Sequence, residues 1–416
     1  MDVSRVGSLF IRALEPMLHG DDMALVLKFR DNYDPDRLWA AYESLVRQNP
    51  ALQVVLRSSG ESFSWAPIDS AEVDAALGRQ RERFFSRLFS FEELLSPANA
   101  LTPPLPLRIS RMNDRETCFQ ISHALSNGRA AIQWILYWLA AAHGEPVAVE
   151  SVDIDQTAGP SKSTAPRSGF ALLPLYIFGY LARAGRKQAR TTVDLTHGKT
   201  PVPHDNGYAS RTYFYSEQET DRILAKAGAV DLSLQQYMCL TVAEAMLAAQ
   251  PEKSRVTIGI PTDLARFLPD LPRAALGNYT GSMVVQLRRG APMQEQIARQ
   301  FGWLRRGVDY WLARQGAASS NEQRLLNTMA RIASLPVNRR GPFQNISCVV
   351  SNVGVVTTPA NWGIESSYGT TKTQTIFFLV AVVNGILSVN VTFARDLYDP
   401  KEVFSVADAA LADLGR

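Results

Sequence analysis

Residues 24–29 (ALVLKF) carry the two-residue period of a strand. The period then lengthens. Leu38, Tyr42, Leu45 and Val46 recur at helical spacing, which predicts a helix packed by that face on a sheet. Its ends are marked: Asp34 can cap it, Pro35 suits the first turn, and Asn49-Pro50 stops it. Strand patterns return at 52–57, 62–68 and 116–122, and a strongly apolar helix follows from Arg129 to Gly144, a glycine suited to a helix end. Beyond residue 210 the pattern predicts a strand at 210–216, helices at 217–228 and 233–250, and strands at 255–261 and 277–287. Helices near 293–311 and 321–334 precede strands at 346–354 and 375–383. Asn384-Gly385 supplies a hairpin turn into a strand at 386–393. The last helix opens on Asp399 as cap, with Pro400 in the first turn and Glu402 at the capping-box position.

Between these two patterned regions, residues 145–210 are rich in Pro, Ser, Thr and Gly, as in a long crossover. At 416 residues the chain exceeds what one core usually organises. The expected fold is therefore α+β with two lobes, each a mixed sheet with helices on a face. The expected boundaries are 1–160 for the N-terminal lobe, 161–209 for the crossover and 210–416 for the C-terminal lobe. Tyr-Asp-Pro at 33–35 and again at 398–400 echoes that duplication. Inside the crossover, residues 169–182 (GFALLPLYIFGYLA) are too short to span a bilayer and contain Pro174. A buried connector helix is the first reading of this segment; peripheral membrane contact or the wall of an acyl pocket is the second.

Composition narrows the function. A net charge of +3 and the lack of a long Lys/Arg block argue against nucleic acid as the main partner. Cys118, Cys239 and Cys348 are odd in number and far apart, which predicts buried free thiols in a reducing compartment. The N-terminal residues lack the apolar core and cleavage site of a signal peptide, so a cytoplasmic location is expected. CxxC, HExxH and GxSxG motifs are missing, and five histidines without a close Cys or carboxylate cluster predict no metal. His197-Gly198-Lys199-Thr200 ends like a phosphate-binding loop, but Val193 stands where the first glycine is needed.

Among the histidines, His19 and His143 sit beside glycines at element ends, where exposure is expected, and His197 and His204 fall in the solvated crossover. His123 differs. It closes an apolar strand and precedes the small-residue loop that opens an apolar helix, a place where backbone N–H groups gather. By residue chemistry alone, a lone histidine there is more often structural than catalytic.

The segment ISHALSNGRAAIQWIL (121–136) resembles the active-site segment of the acyltransferase superfamily that contains chloramphenicol acetyltransferase, nonribosomal peptide condensation domains, the plant BAHD enzymes and alcohol acetyltransferase-like proteins. That family's motif is HxxxDG. Three further blocks occur in family order. Residues 33–57 resemble its first helix and strand. IGIPTDLARFLPDLPRAALGNYTG (258–281) is similar to its Pro-Val-Asn/Asp-Leu-Arg run followed by Gly-Asn-Tyr/Phe. ISCVVSNVG (346–354) resembles its Ser-Asn-x-Gly strand end. The resemblance implies two chloramphenicol acetyltransferase-like lobes arranged as a V around a tunnel, and no tightly bound cofactor. The co-substrate would be an acyl thioester, on coenzyme A or on the phosphopantetheine of an acyl or peptidyl carrier protein. A small-molecule alcohol or amine would be the acceptor. His123 would be the general base, Gly128 would leave room for the tetrahedral intermediate and polarise it, and Ser126, Asn278, Tyr279, Ser351 and Asn352 would line or close the cleft.

Two positions depart from the family. Ser122 stands where many condensation domains have a first histidine, and Asn127 replaces the motif aspartate. In relatives that aspartate pairs with the arginine of the Pro-Val-Asn-Leu-Arg run; here the run is Pro261-Thr262-Asp263-Leu264-Ala265, so the arginine is lost too. Losing both partners strands neither charge, and an asparagine can still hold the loop by hydrogen bonds. An alternative alignment has Arg266 bonded to Asn127. Acyl transfer is the expected activity. The runners-up are a catalytically silent module that docks a carrier protein and an enzyme that runs cyclisation or carbon–carbon bond formation in the same tunnel. Trp134, Tyr137 and Trp138 are expected to pack against a sheet; if they line the tunnel instead, the substrate is hydrophobic.

Overall fold

The computed structural model describes residues 22–58, 63–96, 105–123, 125–146, 163–182, 191–197, 199, 207–271, 278–319, 346–373, 375–412 and 414. The first part of the chain forms β1 (Asp22–Phe29), α1 (Pro35–Gln48), β2 (Val54–Ser58), β3 (Phe63–Pro67), α2 (Ser70–Ser86) and α3 (Phe91–Leu95). Then come β4 (Leu107–Arg111), β5 (Glu116–Ser122), α4 (Gly128–Ala142) and α5 (Arg167–Ala182). The second part contributes β6 (Tyr208–Tyr215), α6 (Glu217–Ala229), α7 (Leu234–Ala249), β7 (Arg255–Asp263) and β8 (Thr280–Arg288). It continues with α8 (Met293–Arg305), α9 (Val308–Ser319), β9 (Cys348–Val356), β10 (Ile364–Thr371), β11 (Phe377–Val383), β12 (Ile386–Ala394) and α10 (Pro400–Ala412). The helix expected at 321–334 lies outside the described residues.

Two large sheets and the β2–β3 hairpin organise these elements. The first has the order β10-β1-β5-β4 and the second β6-β12-β11-β9-β7-β8, mixed, with β11/β9 and β9/β7 parallel. The α+β, two-lobed expectation holds. One strand crosses the expected boundary: β10, from the C-terminal half by chain position, pairs antiparallel with β1 in the first sheet. Gly369 permits this pairing, because a Cβ there would stand 2.4 Å from the Ala24 carbonyl oxygen. A buried ion pair, Lys372 Nζ to Asp22 Oδ2 at 3.3 Å, closes the end of the ladder.

β1 shows why its pattern reads as more apolar than simple alternation. Met23, Leu25 and Leu27 face α1 and α4, packing with Leu38, Tyr42 and Trp138. Ala24 and Val26 face the other way, into the core shared with the second lobe. Both faces are covered, so both are apolar. The capped helix at residues 35–48 forms as expected, with Asp34 accepting from the Asp36 and Arg37 N–H groups. In the second lobe α7 and α10 pack on one face of the large sheet through Met238, Met246, Val403 and Leu411. The Asn384-Gly385 turn forms with φ of 50° and 84° at its two residues. The three cysteines are buried and free.

Three local expectations change. The helix expected over 293–311 is two helices, broken at Gly307, whose φ is +72°. Glu402 does not close a capping box; its Oε2 accepts from His197 Nε2 at 2.8 Å, while Asp399 caps α10 through the Lys401 N–H. His143 is half-buried and stacked on Trp362 rather than exposed, because Trp362 covers the end of α4.

Candidate active site

β5 delivers the motif. The Ser122 N–H donates to the Pro106 carbonyl, and the Ser122 carbonyl accepts from the Leu125 and Ser126 N–H groups at 3.1 and 3.2 Å. This turn hands the chain to Asn127, the N-cap of α4, whose Oδ1 accepts from the Ala130 N–H at 2.9 Å. The Ser126 hydroxyl is fully buried and donates to the Asn127 carbonyl at 3.1 Å. Ser122 and Ser126 thus shape the loop through hydrogen bonds within it.

His123 is held on this turn with its Nδ1 2.9 Å from the Ser126 carbonyl oxygen. A carbonyl can only accept, so Nδ1 carries the proton and Nε2 carries the lone pair. The Asn278 amide nitrogen also approaches Nδ1, at 3.3 Å. Its Oδ1 is engaged by the Thr280 N–H at 3.0 Å, which fixes the amide orientation. Two donors cannot share a proton, so the shorter Ser126 bond is the hydrogen bond and Asn278 is a packing contact across the lobes. Burial pushes the His123 pKa below its ordinary 6.5, against the smaller upward effect of the Ser126 carbonyl. At neutral pH the ring is an uncharged base.

Asn127 ties the two lobes. Its Nδ2 donates to Asp263 Oδ1 at 3.4 Å; the same oxygen accepts from the Ala265 N–H at 2.9 Å, and Arg129 stands 3.9 Å from Oδ2. Burial raises the Asp263 pKa, with Arg129 the largest opposing influence. Arg266 turns away and pairs at 2.6 Å with Asp309, whose side chain is fully buried. The alignment that bonds Arg266 to Asn127 is therefore not the one the chain adopts. The carboxylate lost from the motif loop is present on the facing strand, and Arg129 stands beside it. The signal in the sequence was Asp263 itself, one acid in the run where an arginine is missing.

From the second lobe, β9 approaches the same loop. Asn352 pairs with Val380 and Val355 with Val382, so Val353 and Gly354 together oppose Ala381 in a bulge. Gly354 has φ of +94° and donates its N–H to Asn352 Oδ1 at 2.8 Å. The bulge aims Val353 at the start of α4, where its Cγ1 would lie 3.9 Å from a Cβ on Gly128. Ser351 sits half-buried one residue before Asn352. Tyr279, next to Asn278, is buried with Leu264, Ala265, Phe267 and Tyr310. The loop, Asn278 and the Asn352–Val353 bulge converge; Tyr279 supports from behind.

A small apolar cavity of about 40 Å³ lies against α4, lined by Leu25, Leu27, Ile132, Leu136, Val353 and Val383 among others. Trp134 and Trp138 do not reach it. Both are fully buried, and the Trp138 indole N–H donates to the Leu38 carbonyl at 2.9 Å. Among the described residues no group of three His, Cys, Asp or Glu side chains is placed to hold a metal ion.

No family model matches the sequence, and no curated protein matches it. Solved structures do resemble the chain. A trichothecene 15-O-acetyltransferase from Fusarium sporotrichioides superposes with a TM-score of 0.67 at 12% identity, over 98% of this chain and 93% of that one. The epimerization domain from the third module of tyrocidine synthetase B gives 0.56 at 14% identity, over 95% and 91%. The condensation domain of the monacolin K polyketide synthase gives 0.58 at 11% identity, over 100% and 96%. The chain has the two-lobed fold of the condensation domains and of this acetyltransferase.

Proposed function

We propose that the protein transfers an acyl group from a thioester to an alcohol or amine, with His123 as general base. The observation that carries this reading is the His123–Ser126 hydrogen bond. It leaves Nε2 unprotonated at neutral pH and holds the ring on a capped, rigid turn. Nε2 takes the acceptor proton as the acceptor oxygen or nitrogen attacks the thioester carbonyl, and the Ser126 carbonyl stabilises the imidazolium that forms. As the tetrahedral intermediate collapses, the carbon–sulfur bond breaks and the thiolate takes that proton. The Gly128 and Arg129 N–H groups, ahead of the capped Ala130 in the first turn of α4, would supply donors for the oxyanion.

The apolar lining of the cavity by Val353 favours an apolar acyl group over a charged one. Coenzyme A and a carrier-protein phosphopantetheine are both suitable donors. The test is incubation with a panel of acyl-coenzyme A and acyl-carrier thioesters, followed by mass spectrometry. Wild-type protein should consume at least one acyl thioester of the panel, and His123→Ala should lower that rate by about 10²–10⁴-fold. Equal consumption by the two proteins would remove His123 as base. Binding of an acyl-carrier protein without turnover would instead indicate a silent docking module.

A further inference from the structure

We propose that α5 is a docking helix for an anionic lipid surface, lying in the interface plane rather than crossing it. This is independent of the acyl-transfer reading. Phe170, Ala171, Pro174, Leu175 and Phe178 fall on one stripe of the helix, and every one of them is exposed. Phe170 is 50%, Leu175 59% and Phe178 73% accessible, and these are three of the eight exposed large apolar side chains among the described residues. The opposite face is fully occupied: Leu173 and Tyr176 are buried with Met283 and Val308. Gly169 is pressed so close to the Arg306 carbonyl that a Cβ would not fit. α5 is therefore anchored along one side and bare along the other.

Charge selects the occupant. Exposed Arg167, Arg299, Arg306 and Arg314 border the helix. Arg314 lies over the Trp311 ring at 5.1 Å, and Trp311 meets Phe170 edge-on at 5.3 Å, an aromatic and cationic combination suited to headgroup depth. The acids of the flanking helices are Glu295, in the first turn of α8, and Asp309, buried against Arg266. In sequence, no Asp or Glu occurs from 156 to 193, where Lys162, Arg167, Arg183, Arg186, Lys187 and Arg190 lie. An apolar stripe rimmed by cations matches an anionic bilayer, which attracts basic residues while the apolar face enters the acyl boundary. No described helix is long and apolar enough to cross a membrane.

The test is co-sedimentation of the full chain with vesicles of phosphatidylcholine alone and with about 30 mol % phosphatidylglycerol. Binding is expected to the anionic vesicles and to weaken as salt rises from about 0.1 M to about 1 M. The triple variant Phe170→Ser/Leu175→Ser/Phe178→Ser should lose at least about tenfold in partitioning, and Arg306→Glu/Arg314→Glu should lose anionic selectivity. Circular dichroism melts check that these surface changes leave folding intact. Without altering the stripe, brominated lipid should quench a fluorescence component that Trp311→Phe removes. Equal binding by wild type and triple variant, no binding to anionic vesicles, or light scattering that shows a dimer dissolved by the triple variant would each overturn the proposal.

Discussion

Asn127 makes two bonds with one amide: it caps α4 and reaches across the lobes to Asp263. Asn127→Asp keeps the cap but sets a carboxylate against Asp263. Losing the donor at a buried site costs roughly 1–3 kcal/mol; repulsion adds to this, softened because a third of the Asp263 side chain meets solvent. Thermal melts and thioester turnover should both decline in Asn127→Asp, and Asn127→Asp/Asp263→Asn should recover most of the loss. If the double variant is no better than the single one, the exchange of carboxylate and amide between the lobes is not what holds the loop. The His123 sign is equally definite. Burial lowers its pKa, so the active neutral ring persists below pH 6.5, and the acid limb of kcat/KM should inflect below that value. Stability follows the same group: the unfolded chain takes the proton first, so stability falls as pH drops from 6.5 to the lowered pKa and is level beyond. A pH–rate profile checks the first, and melts of wild type and His123→Ala at several pH values check the second. His123 was legible in the sequence because its neighbours in the chain form the motif. Asp263 stood in the matching run, but its pairing with Asn127 and the approach of Arg129 were not legible, because only tertiary approach decides which acid meets Asn127.

At the level of elements, the bulge in β9 matters most to the site. Its Gly354 lies at φ +94°, where any Cβ is strained. Gly354→Ala should cost about 1–2 kcal/mol and shift Val353 away from Gly128. The expected result is a lower melting temperature with a larger fall in kcat/KM than in stability. Capped helices such as α1 were readable from Asp34, Pro35 and their apolar face. β10 was not, since Ile-Glu-Ser-Ser-Tyr-Gly-Thr-Thr has little apolar signal, and Ser366 and Thr370 are buried only because both faces of the strand are covered. The break between α8 and α9 was missed for a related reason: one glycine inside a helical period does not announce the reversal that the Gly307 backbone makes against Pro166 and Phe267.

At the level of the molecule, the lobes are joined by more than a linker. β10 completes the first sheet, and Lys372–Asp22 pins it with both side chains 3% exposed or less. Lys372→Met leaves Asp22 buried with the more distant Arg108 charge in place of its ion-pair partner, so it should destabilise by less than the ~3–5 kcal/mol of a wholly stranded charge, measured by urea unfolding. Lys372→Met/Asp22→Asn should regain part of it. Two lobes could be counted from the patterned halves of the chain, but a strand exchanged between them leaves no periodic trace.

The exchange has a consequence for the order in which the molecule is made. β1 leaves the ribosome before its partner at 364–371, which follows some tens of seconds later at typical elongation rates. Through that interval one edge of β1 has no native neighbour, a template for pairing with another chain. A fragment ending near residue 160 would keep that edge open permanently and should aggregate where the full chain stays monodisperse. Although its residues come first, the N-terminal lobe is not complete until residue 371, shortly before β11 and β12 complete the second sheet.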